Sequence, residues 1–191
     1  MTVDEERPTF PPRLVVTMPA TPSRLAEALT GHSWDIPWIA GTDEAFFHLA
    51  ERALRRLVIM SPYLDNKGLT WVDDLFEHTP AAEKVLICRD YARILGLARP
   101  GLDRLMACGA QIFEYRILHA GDLGRQTLEE TFHSKVVLAD GVAAYVGSAN
   151  MLTSSLETSL ECGILVESST ARQVKAVIEA VLSISQKCWP L

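Results

Sequence analysis

Apolar residues recur along the chain in two rhythms, and the alternation between them predicts its architecture. Leu57-Val-Ile-Met60, Lys84-Val-Leu-Ile-Cys88 and Gln111-Ile-Phe-Glu-Tyr115 are short apolar runs, rich in β-branched residues, that read as buried strands. Between them, segments with helical spacing predict helices near residues 43–55, 69–77 and 100–108. Upstream, Leu14 to Thr17 predicts a short strand, and Thr21 to Leu29 a helical turn with Pro22 near its first position and Gly31 beyond its end. After a polar stretch from His119 to Glu130 the rhythm shortens: a strand from Phe132 to Leu138, a turn at Asp140-Gly141, a strand from Ala143 to Val146, a short helix after Asn150, a strand from Leu160 to Val166 and a helix from Thr170 to Ser185. Asp-Gly between two apolar runs is a strong hairpin signal. The expected fold class is α/β, a mixed, largely parallel sheet flanked by helices on both faces, with residues 1–41 as an N-terminal arm and 42–191 as the domain.

Composition narrows the classes of function. The 191 residues are 48% hydrophobic and 22% charged, as in an ordinary globular protein that can bury its own core. No window is long and apolar enough for a membrane span, and the start lacks a secretory pattern, so a cytoplasmic location without a membrane span is expected. Cys88, Cys108, Cys162 and Cys188 are far apart and form no CxxC pair, which reads as structural thiols. A net charge of −6 argues against a basic clamp that would attract phosphates with its whole surface. Arg89, Arg93, Arg99, Arg104, Arg116 and Arg125 make a local basic excess interleaved with Tyr91, Phe113 and Tyr115, read first as a solvated face and second as a nucleic-acid track.

The chemistry concentrates in Phe132-His-Ser-Lys-Val-Val-Leu-Ala-Asp-Gly-Val-Ala-Ala-Tyr-Val-Gly-Ser-Ala-Asn150. On an extended strand His133 and Lys135 share one face at a spacing of about 6.6 to 7 Å, so an imidazole and an ammonium are presented together. Gly147-Ser148-Ala149-Asn150 breaks the next strand and adds a flexible backbone, a hydroxyl and an amide. A nucleophile or base, a cation and neutral donors around one pocket suit a phosphoryl group, whose non-bridging oxygens they would stabilise. Glu161 interrupts the apolar strand Leu160 to Val166 and needs a partner, for which the ring N–H of His133 is the natural candidate. Asp140 suits a turn, and Tyr63 in Ser61-Pro-Tyr-Leu-Asp65 reads as packing before it reads as a groove residue. His32, His48, His78 and His119 lack ligand-like spacing, and no metal site is expected.

His133, Lys135, Asp140, Gly147, Ser148 and Asn150 match the HxKxxxxDxxxxxxGSxN signature of the phospholipase D superfamily at full spacing. Such a match arises by chance with odds on the order of 10⁻⁸ per starting point. The resemblance implies the family's domain from about residue 42 onward, a metal-independent phosphodiesterase without cofactor, and a covalent phosphohistidine on His133. It also implies Lys135, Ser148 and Asn150 on the phosphate, Glu161 as the acid that orients His133, and structural roles for Asp140 and Gly147. Family members with two motif copies take a second histidine from the second copy. This chain has one copy and so resembles the short bacterial nucleases of the family, whose site lies on the twofold axis of a homodimer.

The expected function is therefore a dimeric nuclease acting on DNA or RNA. The chain also resembles the phospholipase D-like proteins of bacterial antiphage defence systems, which implies partner proteins from such a system. The competing readings are a lipid-acting phospholipase or phosphatidyl-transferase, disfavoured by the lack of a segment suited to docking on a bilayer, and a non-catalytic phosphate-binding subunit, disfavoured by the intact His133, Lys135 and Asn150.

Overall fold

A computed structural model describes residues 11–20, 22–29, 41–97, 99–120 and 126–190. The readings on residues 1–10, Thr21, Gly31, His32 and Arg125 fall outside them. In chain order the elements are β1 (Arg13–Thr17), α1 (Arg24–Leu29), α2 (Thr42–Arg52), β2 (Arg56–Met60), α3 (Asn66–His78), β3 (Glu83–Cys88), α4 (Tyr91–Leu95), α5 (Arg99–Ala107), β4 (Gln111–Glu114), β5 (Arg116–Ala120), β6 (Gln126–Thr131), β7 (Lys135–Ala139), β8 (Ala143–Gly147), α6 (Thr153–Glu157), β9 (Glu161–Glu167), α7 (Ser168–Ile184) and β10 (Gln186–Trp189). Eight strands form one sheet in the order β1-β9-β8-β7-β2-β3-β4-β10, and β5 and β6 form a separate hairpin.

The runs read as buried strands take the centre of this sheet. β2 and β7 pair with each other, and all five residues of β7 are buried. One side packs Val15, Leu57, Ile59, Leu86, Val137, Tyr145 and Leu165 against α2, α3 and α5, and the other packs Val58, Val85, Leu138, Ala144 and Val166 against Ala171 and Ile178 of α7. Helices thus cover both faces, as expected of an α/β fold. Phe46 of α2 stacks on Trp71 of α3 at 5.0 Å and meets the Tyr145 ring edge-on at 4.8 Å. Fully burying a side chain of this size contributes about 1.5–3 kcal/mol.

The expectation of a largely parallel sheet needs correction. Among the described strands parallel pairing joins only β2, β3 and β4, which are separated by the crossover helices α3, α4 and α5. The β1–β9, β9–β8, β8–β7, β7–β2 and β4–β10 pairs run antiparallel. β1 is the edge strand of this same sheet, so residues 13–17 belong to it and not to a separate arm. At the two ends of the polar stretch read from His119 to Glu130, β5 and β6 pair with each other, and the chain leaves strand geometry at Phe132, His133 and Ser134 before β7.

The β7–β8 turn follows the sequence signal. Asp140 (φ 53°) and Gly141 (φ 72°) both lie in the left-handed region, and the Val142 N–H closes the turn on the Ala139 carbonyl at 3.0 Å. The Asp140 carboxylate also accepts the backbone N–H groups of Leu54 (3.0 Å), Arg55 (2.9 Å) and Arg56 (2.8 Å), tying this turn to the start of β2. Burial pushes its pKa up, but these N–H groups outweigh burial and hold it below the ordinary 3.8. The folded carboxyl binds its proton less readily than the unfolded one. Its stabilisation is therefore complete above pH 3.8 and is lost as the pH falls through the lower folded value. Asp140→Ala should destabilise the fold by about 2–4 kcal/mol in urea titration at pH 7, from lost hydrogen bonds and a non-glycine residue in the left-handed region. Asp140→Asn, which tolerates that region and keeps an acceptor oxygen, should cost less. Equal losses for the two variants would contradict this account.

Candidate active site

β2 and β3 end, and β7 and β9 begin, at the same edge of the sheet, where β8 also ends. His133, Lys135, Gly147, Ser148 and Asn150 gather there, whereas Asp140 lies at the far end of β7 in the turn to β8. Lys135 faces the α2 side of the sheet and is paired through Gly147 with Gly163, and Glu161 lies two positions before Gly163 on the same face of β9. Both charged groups are buried, Lys135 at 5% exposure and Glu161 at 6%. Burial pulls the Lys135 ammonium below its ordinary 10.5, and the Glu161 carboxylate partly opposes that shift. The Lys135 ammonium donates to the His133 carbonyl at 2.6 Å and lies 2.9 Å from ring Nδ1 and 3.4 Å from Nε2. His133 itself is exposed, so an imidazole ring stands in solvent beside a sequestered cation.

Glu161 is engaged differently from the expectation. Its carboxylate accepts the Ser148 hydroxyl proton, and the Ser148 oxygen in turn accepts the Cys162 N–H at 3.0 Å. No hydrogen bond joins Glu161 to His133 among the described residues, and Lys135 occupies the ring. Ser148 therefore fastens the β8 end to β9, and its single proton is not free for a phosphate. Asn150 donates its backbone N–H to Ser155 Oγ at 3.2 Å, while its side-chain Oδ1 is buried without a partner. Leaving such an atom unpaired costs about 1–3 kcal/mol, and because an amide oxygen only accepts, a contact from Asn150 to a phosphate oxygen would have to come from its side-chain NH₂.

Gly147 serves packing. A Cβ there would lie 2.2 Å from the Tyr145 hydroxyl, and one on its cross-strand partner Gly163 would lie 2.2 Å from the same ring. The two glycines form the seat for Tyr145, whose hydroxyl is pushed up to about 12, chiefly by burial.

Three supporting residues carry no motif signal. Ser61 Oγ accepts the Met151 N–H at 3.1 Å and donates to the Tyr63 carbonyl at 2.9 Å. Asp65 caps α3 by accepting the Gly68 N–H at 2.8 Å, and its other oxygen accepts the Thr153 N–H at 2.8 Å. Gly68 lets α3 touch the chain at Met151, where a Cβ would come within 1.6 Å of the carbonyl oxygen. The segment after β2 is thereby stitched to the turn that carries Asn150. Tyr63, read first as packing, lies edge-on to the His133 ring at 5.8 Å. His78 bonds the Asp74 carbonyl and packs on Phe47, and His48 contacts Arg52, so neither joins the site. The four cysteines are free thiols. Among the described residues no group of three His, Cys, Asp or Glu could hold a metal, and no helix is long and apolar enough to cross a membrane.

The lowered Lys135 value makes a prediction for pH. If its charge is needed at the phosphate, kcat/KM should fall on an alkaline limb whose midpoint lies below 10.5, the ordinary lysine value. A limb at or above that value in a pH–rate profile would contradict the role.

The family described as "Cardiolipin synthase, PLD-like domain" matches residues 47–182. No curated protein sequence matches the chain. Among solved structures, the fold resembles Nuc from Salmonella typhimurium, a phospholipase D family member, at TM-score 0.54 and 10% identity over 93% of this chain and 98% of that one. NucT from Helicobacter pylori superposes at TM-score 0.58 and 11% identity, covering 93% of this chain and 99% of that one. Phosphatidylserine synthase from Haemophilus influenzae gives TM-score 0.55 and 13% identity over 92% of this chain but only 39% of its own length. With the family matched across most of its length and this motif at the edge of its sheet, the chain belongs to the PLD-like domain family of the phospholipase D superfamily, whose enzymes act on phosphodiesters.

Proposed function

We propose that the protein is a metal-independent phosphodiesterase that cleaves nucleic acid through a covalent phosphohistidine, at a site completed by a second copy of the chain. The observation that carries this reading is the buried Lys135 ammonium held within 2.9 Å of the exposed His133 ring. A ring nitrogen of His133 attacks phosphorus, the bond to the leaving oxygen breaks, and that oxygen takes a proton from a general acid. Water then hydrolyses the phosphohistidine and restores the imidazole. Lys135 and the Asn150 side chain stabilise charge on the non-bridging oxygens, the work a metal ion does in other phosphodiesterases.

The general acid supports the second copy. The described contacts of the His133 side chain are with Lys135 and Tyr63, and one chain supplies one motif histidine. A twofold axis would bring a second His133 to the same phosphate, and two adjacent imidazoles would titrate as a pair, one neutral and one protonated. The α7 side of the sheet also carries an uncovered apolar row near this end. Leu14, Ile164 and Val146 are adjacent across β1, β9 and β8 and are 42%, 46% and 39% exposed.

The family description and the phosphatidylserine synthase likeness favour one further reading, phosphatidyl transfer. A panel of single- and double-stranded DNA, RNA, a chromogenic diester and phosphatidylglycerol vesicles, assayed with EDTA, separates the two. Nucleic-acid cleavage that persists in EDTA is expected. Strict metal dependence would overturn the mechanism, turnover of lipid alone would overturn the substrate, and a strictly monomeric active species in light scattering would overturn the shared site.

A further inference from the structure

The arginines of residues 89–116 are not equivalent. Arg104 pairs with Asp73, and Arg116 pairs with Asp90 and Glu114 at 3.0 Å each. Arg93 and Arg99 are exposed. Arg89 is different: it is half-buried, directly follows β3 at the active-site edge of the sheet, and has no carboxylate partner among the described residues. Its Nη1 donates to the Tyr63 hydroxyl at 2.8 Å, and its Cζ lies 5.7 Å from the Tyr63 ring centroid. The same tyrosine ring also meets His133, edge-on at 5.8 Å.

A partly desolvated guanidinium beside neutral partners keeps its full charge and most of its N–H donors, an arrangement that favours a bound anion. Tyr63 fixes the direction in which those donors point and sets them one aromatic ring away from His133. In the reading above Lys135 and Asn150 serve the scissile phosphate, which leaves Arg89, reached through Tyr63, to a second anion.

Resting on the phosphodiesterase reading above, we propose that Arg89 forms a subsite for the phosphate next to the scissile one, which makes the preferred substrate a nucleic-acid strand and not a diester with a single phosphate. The cation is a local one. The chain as a whole carries −6, so affinity for a strand must come from positions such as this, and each phosphate contact should appear as a measurable part of the salt dependence.

The test compares wild-type protein with Arg89→Ala and Arg89→Lys on a fluorescent single-stranded oligonucleotide and on bis(4-nitrophenyl) phosphate. Arg89→Ala should lower kcat/KM on the oligonucleotide about tenfold more than on the small diester, mainly through KM, as expected for one lost charge-assisted contact. In anisotropy titrations on a His133→Asn background, it should flatten the slope of log Kd against log salt by about 0.7, the share of one phosphate on a single strand. Arg89→Lys should restore most of that slope. Equal losses on both substrates would overturn the proposal, since Arg89 would then act through Tyr63 on His133. An unchanged slope would also overturn it, and so would a loss of binding to phosphatidylglycerol vesicles as large as the loss to the oligonucleotide. The binding arm needs no turnover. A slope change in a protein that cleaves no phosphodiester would leave the subsite standing and remove the phosphodiesterase reading instead.

Discussion

Replacing His133 with Asn is expected to lower kcat on a phosphodiester by about 10⁴-fold or more, the scale of loss when a covalent nucleophile is removed. The fold should survive the change, because the ring is exposed and its side-chain contacts are with the Lys135 ammonium and the edge of Tyr63. Rapid acid quench with phosphorus-labelled substrate should trap an acid-labile phosphoenzyme in the wild type and none in the variant. Circular dichroism and the thermal midpoint should agree between the two proteins. Lys135 offers a sharp contrast. Removing its buried ammonium leaves Glu161 buried without a salt-bridge partner among the described residues, so Lys135→Ala should lose stability as well as turnover. Activity that survives His133→Asn would place the chemistry elsewhere in the molecule.

The second large effect is expected at a residue that no motif marks. On a helix, Gly→Ala ordinarily stabilises by about 1 kcal/mol, because glycine has more backbone freedom to lose. At Gly68, inside the first turn of α3, the sign should reverse. A Cβ there would stand 1.6 Å from the Met151 carbonyl oxygen and 2.2 Å from its carbon, and both are backbone atoms. No rotamer can relieve that overlap, so either α3 or the Asn150–Met151 turn must move. The turn is held to Asp65 through its backbone (3.2 Å) and to Ser61 (3.1 Å), so displacing it breaks both bonds. Gly68→Ala should cost about 2–4 kcal/mol in urea titration. It should also lower kcat/KM by misplacing the Asn150 amide. A neutral or stabilising outcome would show that helix and turn can separate without consequence, and the tertiary account of this site would be wrong.

The motif was legible because its spacing is local. His133 and Lys135 are two residues apart, so chain geometry alone puts their side chains together, whether the segment is a regular strand, as expected, or the extended connection found before β7. The Asp140-Gly141 hairpin was legible for the same reason: two residues in the left-handed region close a turn without help from the rest of the fold. The buried strands of the sheet centre announced themselves as unbroken apolar runs. Other features came from partners distant in sequence. Glu161 found Ser148 in place of His133, because the strand register sets which side chain faces it. Tyr63 lies beside His133 only because β2 and β7 are neighbours in the sheet. Sheet direction is not legible in an apolar run, which looks the same either way: β8 and β9 return antiparallel after short connections, while β1, β7 and β10 pair antiparallel with strands distant in sequence.

By itself, then, the sequence determined the elements at the centre of the fold and the motif that marks the family, and it pointed to the residues proposed for the chemistry, all of which follow from propensity, periodicity and short spacing. The tertiary structure decided strand order and direction, the engagement of Glu161 and Ser148, the contact between Gly68 and Met151, and which arginine stands at the site edge without a carboxylate partner among the described residues. Each of these depends on contacts between segments far apart in the chain. Those contacts form only when the sheet and its helices bury their apolar faces together, and the register of that burial is a property of the whole molecule.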